Sequence, residues 1–417
     1  MLNLQSLLPL LGGLLLALPT PGDDEVEGDT IFLENDKTKE GRVVYEDDEV
    51  VILRKGSRET EYPRDEVKDV DSRVRSLNQL LDRLADLGPR GYRDANALLE
   101  LAQFCEAARL SGEAHMLYLA TLLYDPENAG AIEALGCKQR KGHWSYKKGK
   151  KWVRNSELSA GDIDWKDRWE LNSVHFTLQS NLPLGKAIKA MWDLERFYRT
   201  FFELFQHEVR LLEPDEVMDI HVHGDDKSYP ENGDGRKGWF DPGDRITHLN
   251  ASRSPWLDTL LHEGVHHLFY MTTVRSPGGK GKIPAWLDEG MAEAFGTGID
   301  GDLGFATIDI GKMAPGHFRE QANADKPYGF SRVLAFESDD YLGSVDRNLK
   351  YAQSYTLVYY LIFGNGGDRK DQFMEFMRSA YDGKSSSTDF QKILEIDSKD
   401  KFEKEWYEGI DAIAAGF

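Results

Sequence analysis

At 417 residues, with 40% hydrophobic and 11% aromatic content, the chain has the composition of a globular protein and is too long for one ordinary core. It carries 51 Lys and Arg against 72 Asp and Glu, a formal net charge of −21, which argues against nucleic acid as the main partner because a polyanion is bound through a basic face. Two cysteines, Cys105 and Cys137, are too few for a disulfide framework; we read them as buried free thiols, with one bond between them as the alternative in an oxidising compartment.

Residues 7–18 form an apolar run of signal-peptide length, and small residues and prolines at 17–22 lead at once into polar sequence. We therefore expect residues 1–22 to be a signal peptide and the protein to be secreted or periplasmic. An uncleaved anchor is the alternative, since no basic residue precedes the run and no clean Ala-x-Ala follows it. No other segment approaches the ~20 apolar residues of a membrane span. Residues 28–71 alternate apolar and polar, punctuated by Gly41 and Gly56, and predict a small antiparallel β-domain of four or five strands with an accessory or binding role.

The period turns helical over residues 72–137. Leu77, Leu80, Leu81 and Leu84 share one stripe that Gly88-Pro89 should stop, and two alanine-rich helices over 96–110 and 113–124 lead to Asp-Pro-x-Asn and a third. This resembles one or two tetratricopeptide-type repeats, too few for a solenoid, so a packing spacer is expected. Residues 138–166 are a basic linker: 138–154 carry eight Lys or Arg, no acid and two tryptophans, and read as a solvated connector whose tryptophans plug into a neighbour.

From residue 167 to 417 the pattern is mixed α+β. WELNSVHFTLQSNL predicts a strand and residues 184–207 a long amphipathic helix with Ile188, Trp192, Leu194, Phe197, Phe201 and Leu204 inward. VMDIHVHG is a further strand, and GWFDPGDRITHLN predicts a hairpin turning at residues 241–244. His221 and His223 share one strand face; without an evident third ligand, we read them as a packed or exposed pair rather than a metal site.

The chemistry concentrates in SPWLDTLLHEGVHHLFY. Ser254 and Pro255 suit a helix start, and Trp256, Leu257, Leu260, Leu261, Val265, Leu268 and Phe269 form its apolar face. His262 and His266 are four residues apart and project from one side, so both imidazoles can reach one Zn²⁺. Glu263 sits beside the first ligand, placed to act as general base on a water at the metal, whereas His267 points elsewhere. A catalytic zinc needs a third protein ligand and an open position. Glu289, in IPAWLDEGMAEAF, is the best candidate, after one loop and a return helix. Glu293, a turn further on, is placed to accept the remaining ring N–H of a zinc-bound histidine. A chance His-Glu-x-x-His on an amphipathic helix is the competing reading, which the second segment weakens.

HEGVH followed by WLDEGMAE resembles the gluzincin metallopeptidases of the peptidase-MA type, and the order of segments is similar to an uncharacterised secreted bacterial branch of them. The resemblance spans roughly residues 167–380 and is sharp only at these two segments. It implies a zincin-like domain, His262, His266 and Glu289 as zinc ligands, and Glu263 as base. It also implies a sheet whose edge strand, RITHLN, lines the cleft and pairs with an extended peptide or protein substrate. The family's transition-state donor is a downstream Tyr or His; here Tyr351 and Tyr355 are the candidates and Tyr355 is preferred, while core packing is the other reading of both. No Gly-x-Met-Glu-Asn exopeptidase motif occurs. The expected function is a zinc-dependent endopeptidase. A catalytically inactive zinc-binding scaffold and a zinc amidase acting on cell-wall peptides are the alternatives.

Overall fold

The computed structural model describes residues 28–416 apart from 160, 162, 231–234, 274–280 and 344. The expected signal segment and most of the glycine-rich loop between the two motif segments lie outside the described residues. The class is α+β, with 51% helix and 19% strand.

Alternating apolar residues close the first unit on itself. Strands β1 (Asp29–Leu33), β2 (Thr38–Glu46), β3 (Val50–Lys55), β4 (Arg58–Pro63) and β5 (Val67–Asp71) form an antiparallel sheet ordered β4-β3-β2-β1-β5. Its buried side chains include Ile31, Val43, Val51, Leu53 and Val70. A core this small gains from being anchored elsewhere. Buried Arg54 is paired with Asp215 at 2.5 Å and Glu59 at 2.7 Å, and Glu213 N donates to Val44 O at 2.9 Å.

Helices α1 (Arg73–Gly91), α2 (Ala95–Ala107), α3 (Ser111–Tyr124) and α4 (Ala129–Ala134) follow, and α1 is kinked at Gly88 where a stop is expected. Leu77, Leu80, Leu81 and Leu84 are buried, as their spacing requires. Both cysteines are buried and free. The helices share a core with the C-terminal region: Trp192 Nε1 donates to Tyr92 Oη at 3.0 Å, and the buried Glu113 carboxylate accepts from Val174 N at 2.8 Å.

The basic segment departs from the expected connector. It folds as a three-stranded antiparallel sheet, β6 (Lys138–Arg140), β7 (His143–Lys148) and β8 (Lys151–Arg154). Gly142 (φ 79°) and Gly149 (φ 56°) supply the left-handed backbone that the two tight turns need. Trp144, Tyr146 and Val153 pack on the main core while the charges other than Lys148, which lies over the Trp169 ring, stay outside.

WELNSVHFTLQSNL is not one strand but a hairpin, β9 (Trp169–Asn172) and β10 (Phe176–Ser180), because Ser173 Oγ accepts from Phe176 N and turns the chain. Helix α5 (Leu184–Val209) then crosses to β11 (Met218–His223), parallel to β10. Its inward face uses Phe205 where Leu204 is expected; Leu204 is only partly buried. The hairpin β12 (Gly238–Asp241) and β13 (Ile246–Asn250) completes a sheet ordered β12-β13-β11-β10-β9. RITHLN is therefore interior, parallel to β11, and the edge is GWFD. That corrects the edge expected from the resemblance.

Helices α6 (Trp256–Thr273) and α7 (Ala285–Thr297) carry the two motif segments, and α6 lies on β12 and β13. A two-stranded β14 (Ile299–Asp300) and β15 (Thr307–Ile308) pair leads to the remaining helices. These are α8 (Pro315–Ala322), α9 (Phe330–Val333), α10 (Ser338–Leu342), α11 (Arg347–Phe363), α12 (Lys370–Tyr381), α13 (Ser387–Ile393) and α14 (Lys399–Ala414). Gly290 lets α7 and α11 touch, since a Cβ there would lie 2.6 Å from Ser354 O. Among the described residues no helix is long and apolar enough to cross a membrane.

Candidate metal centre

The i, i+4 spacing on α6 puts the His262 and His266 rings side by side, with Nε2 atoms 3.3 Å apart. Helix α7 packs along α6 and brings Glu289 Oε2 to 3.5 Å from His262 Nε2 and 3.6 Å from His266 Nε2. The three atoms make a nearly equilateral triangle. A tetrahedron about an ion with ~2.0–2.1 Å bonds has edges of ~3.3–3.4 Å, so the three atoms sit as three corners of a zinc-sized site. Glu289 Oε2 is buried with no hydrogen-bond partner, an arrangement costly for a carboxylate unless a cation meets it. Among the described residues no fourth ligand-type side chain joins the group, which leaves a corner open.

Each imidazole is oriented from behind. His262 Nδ1 lies 3.2 Å from Glu293 Oε1, the contact expected from the sequence. His266 Nδ1 lies 2.7 Å from Asp288 Oδ1, which was not anticipated. His317, on α8, holds the other Glu293 oxygen at 2.7 Å from its Nε2 and is also new. Carboxylates at both Nδ1 atoms fix those nitrogens as donors and turn both Nε2 lone pairs into the triangle.

The electrostatics call for positive charge at this point. Burial opposes the His262 imidazolium, but Glu289 and Glu293 overcome it and raise its pKa to about 10. Burial likewise opposes charge on His266, yet Asp288 and Glu289 hold it well above the ordinary range. Glu289, which burial would keep neutral, is pulled to about 2 by the two histidines, and Glu293 falls far below its usual value through His262 and His317. Two Nε2 atoms 3.3 Å apart cannot both aim a proton across the gap. One cation at the centre satisfies all three ligand atoms.

Glu263 reaches from α6 to the edge strand, its Oε2 accepting from Phe240 N at 3.1 Å. His267 faces away, with Nδ1 3.1 Å from Thr247 Oγ1 and its ring stacked on Phe240, in keeping with having no ligand role. Tyr355, the preferred donor candidate, packs against His317, with ring centroids 4.7 Å apart. It is fully buried, and its hydroxyl accepts from Ala314 N at 3.0 Å and donates to Lys312 O at 3.3 Å. Tyr351, one turn earlier, has its ring 6.1 Å from that of His262, and its hydroxyl has no hydrogen-bond partner among the described residues. Burial, then the charges of Glu289, Glu293 and Glu263, push the Tyr351 hydroxyl far above its usual range, so it stays protonated. A separate concavity of about 690 Å³ beside the β-domain, lined by Tyr45, Asp47, Glu61, His207 and Arg210 among others, shares no residue with the metal group.

The two residues that the sequence did not reveal differ in the signal they carry. Asp288 adjoins Glu289, but neighbours on a helix point about 100° apart, so which one reaches α6 depends on how the helices cross. His317 carries no local signal at all. A family model described as "Protein of unknown function (DUF1570)" matches residues 257–385, a stretch from α6 through α12 that contains every residue of this centre. No curated protein matches the chain.

Proposed function

We propose that the chain is a zinc-dependent hydrolase of the gluzincin kind, acting as an endopeptidase, with His262, His266 and Glu289 holding the ion and Glu263 as general base. The reading rests above all on the 3.3–3.6 Å triangle of ligand atoms, backed by a carboxylate at each histidine. Bound zinc would supply Lewis acidity to a water and to a substrate carbonyl. Glu263 takes the proton of the attacking water and passes it to the leaving amine. Its carboxylate accepts from Phe240 N, which keeps the base beside the edge strand β12. Tyr351, protonated and unengaged, donates to the oxyanion as the carbonyl becomes tetrahedral. Asp288 and Glu293 keep both Nδ1 protons in place while the charge changes.

Secretion through the N-terminal segment belongs to the same proposal. The deciding experiment is Glu263→Gln: zinc content near that of the parent, with hydrolysis of an unstructured protein substrate down by orders of magnitude. Turnover equal to the parent's would remove Glu263 from the mechanism. Cleavage of muropeptides with none of casein would transfer the same residues to a cell-wall amidase. A zinc-loaded parent that cleaves neither would make the centre a structural one.

A further inference from the structure

The strand pair β11–β13 carries a second group of histidines on the sheet face away from α6. Residues on a strand alternate sides. Ile220 and Val222 enter the main core, so His221 and His223 face the other way. The parallel register sets His248 directly beside His221, and its neighbour Thr247 bonds His267 of α6, which puts His248 on the His221 face. This is the third ligand that the sequence did not reveal. One ring nitrogen from each of the three lies within 4.8 Å of the others.

We propose that His221, His223 and His248 form a second metal site, for a divalent ion of the copper–zinc type, distinct from the centre on α6 and α7. His223 is 1% exposed and His248 8% exposed, yet both ring nitrogens of His223 and Nδ1 of His248 are buried without a hydrogen-bond partner. Unmet polar atoms of this kind cost ~1–3 kcal/mol each, and one ion would take a nitrogen of His223 together with Nδ1 of His248. His248 Nε2 lies 3.5 Å from Asp244 Oδ2, the carboxylate support that a coordinating imidazole commonly has. Trp165 stacks on His223 (3.9 Å between centroids) and Trp239 on His248 (4.7 Å), so the rings are clamped and shielded from water. If the cluster were only aromatic packing, phenyl rings would fill the space without stranded nitrogens. A donor set of imidazoles alone selects Cu²⁺, Zn²⁺ or Ni²⁺ over Ca²⁺ and Mg²⁺, which prefer oxygen.

The test uses the full chain with His262→Ala and Glu289→Ala, which silences the first centre and makes the result independent of the proposed hydrolase. Dialysed against Cu²⁺ or Zn²⁺ and assayed by elemental analysis, this protein should keep one ion per chain. His221→Ala, at a partly exposed ring, should weaken retention by more than the ~10–100-fold that losing an orienting partner costs. Cu²⁺ should quench part of the tryptophan fluorescence at one equivalent, and Trp165→Phe should remove part of that quenching. His248→Asn, checked for folding by near-ultraviolet dichroism, should behave like His221→Ala. No retained ion in the silenced protein, or equal retention after His221→Ala, would overturn the proposal.

Discussion

Replacing Glu293 by Gln tests whether the carboxylate behind His262 acts on the metal or merely ties α7 to α8. In the parent its two oxygens lie 3.2 Å from His262 Nδ1 and 2.7 Å from His317 Nε2. Gln keeps the shape and can still accept from one ring, so packing changes little. It removes the charge that holds the His262 proton on Nδ1 and enriches Nε2. Loss of such a partner costs ~10–100-fold in metal affinity, or ~1.4–2.7 kcal/mol. Zinc affinity measured by competition with a chromophoric chelator should fall by that amount, and the metal-free protein should lose stability as well, because the charge that favours the His262 imidazolium is gone. Asp288→Asn should produce a loss of the same order through His266. His317→Asn, which leaves His262 its acceptor, should have the smaller effect. Unchanged affinity in Glu293→Gln, or an equal loss in His317→Asn, would refute the argument that Glu293 works through the His262 ring.

Further outcomes follow from the same geometry. Tyr351→Phe should lower kcat by ~10²–10³, as removal of an oxyanion donor does, with KM little changed; Tyr355→Phe should act on stability instead, and the reverse pattern in steady-state kinetics and thermal melts would exchange the two roles. A separate titration concerns His175, buried under Tyr198. Burial opposes its charge, but Glu195 at 2.6 Å and then Glu213 overcome this and raise its pKa to about 9 from an ordinary 6.5. A raised histidine contributes stability fully present below 6.5 and lost as pH rises through about 9. Glu113, raised to about 7 by burial and then by Glu195, adds a loss of the same sign from about 4.5 to 7. Denaturant melts should show stability falling from pH 6.5 to 9, and His175→Gln should flatten that slope. An identical slope in the variant would show that the pair does not govern it.

The centre itself was legible where chemistry follows local periodicity. His262, Glu263 and His266 sit on one helix, and Glu289 and Glu293 on the next, so the 3.6-residue repeat alone relates the members of each group. The apolar stripes of α1, α5 and α6 were readable for the same reason, as was the alternation in β1–β5. What the sequence could not settle depends on contacts between segments far apart in the chain. Whether β12 or β13 forms the edge turns on parallel pairing of β13 with β11, which no short pattern encodes. The packing of α7 on α6 and of α11 on α7 decides that Asp288 reaches His266 and that Tyr351, not Tyr355, lies against His262. The return of α8 delivers His317 to Glu293 from 24 residues away. His248 joins His221 and His223 only through sheet register. The basic segment misled because exposed lysines mask alternation; two turn glycines and a half-buried aromatic face decide that it is a sheet. Spacing along one element is a property of the chain, but which faces meet is set by packing of the whole core.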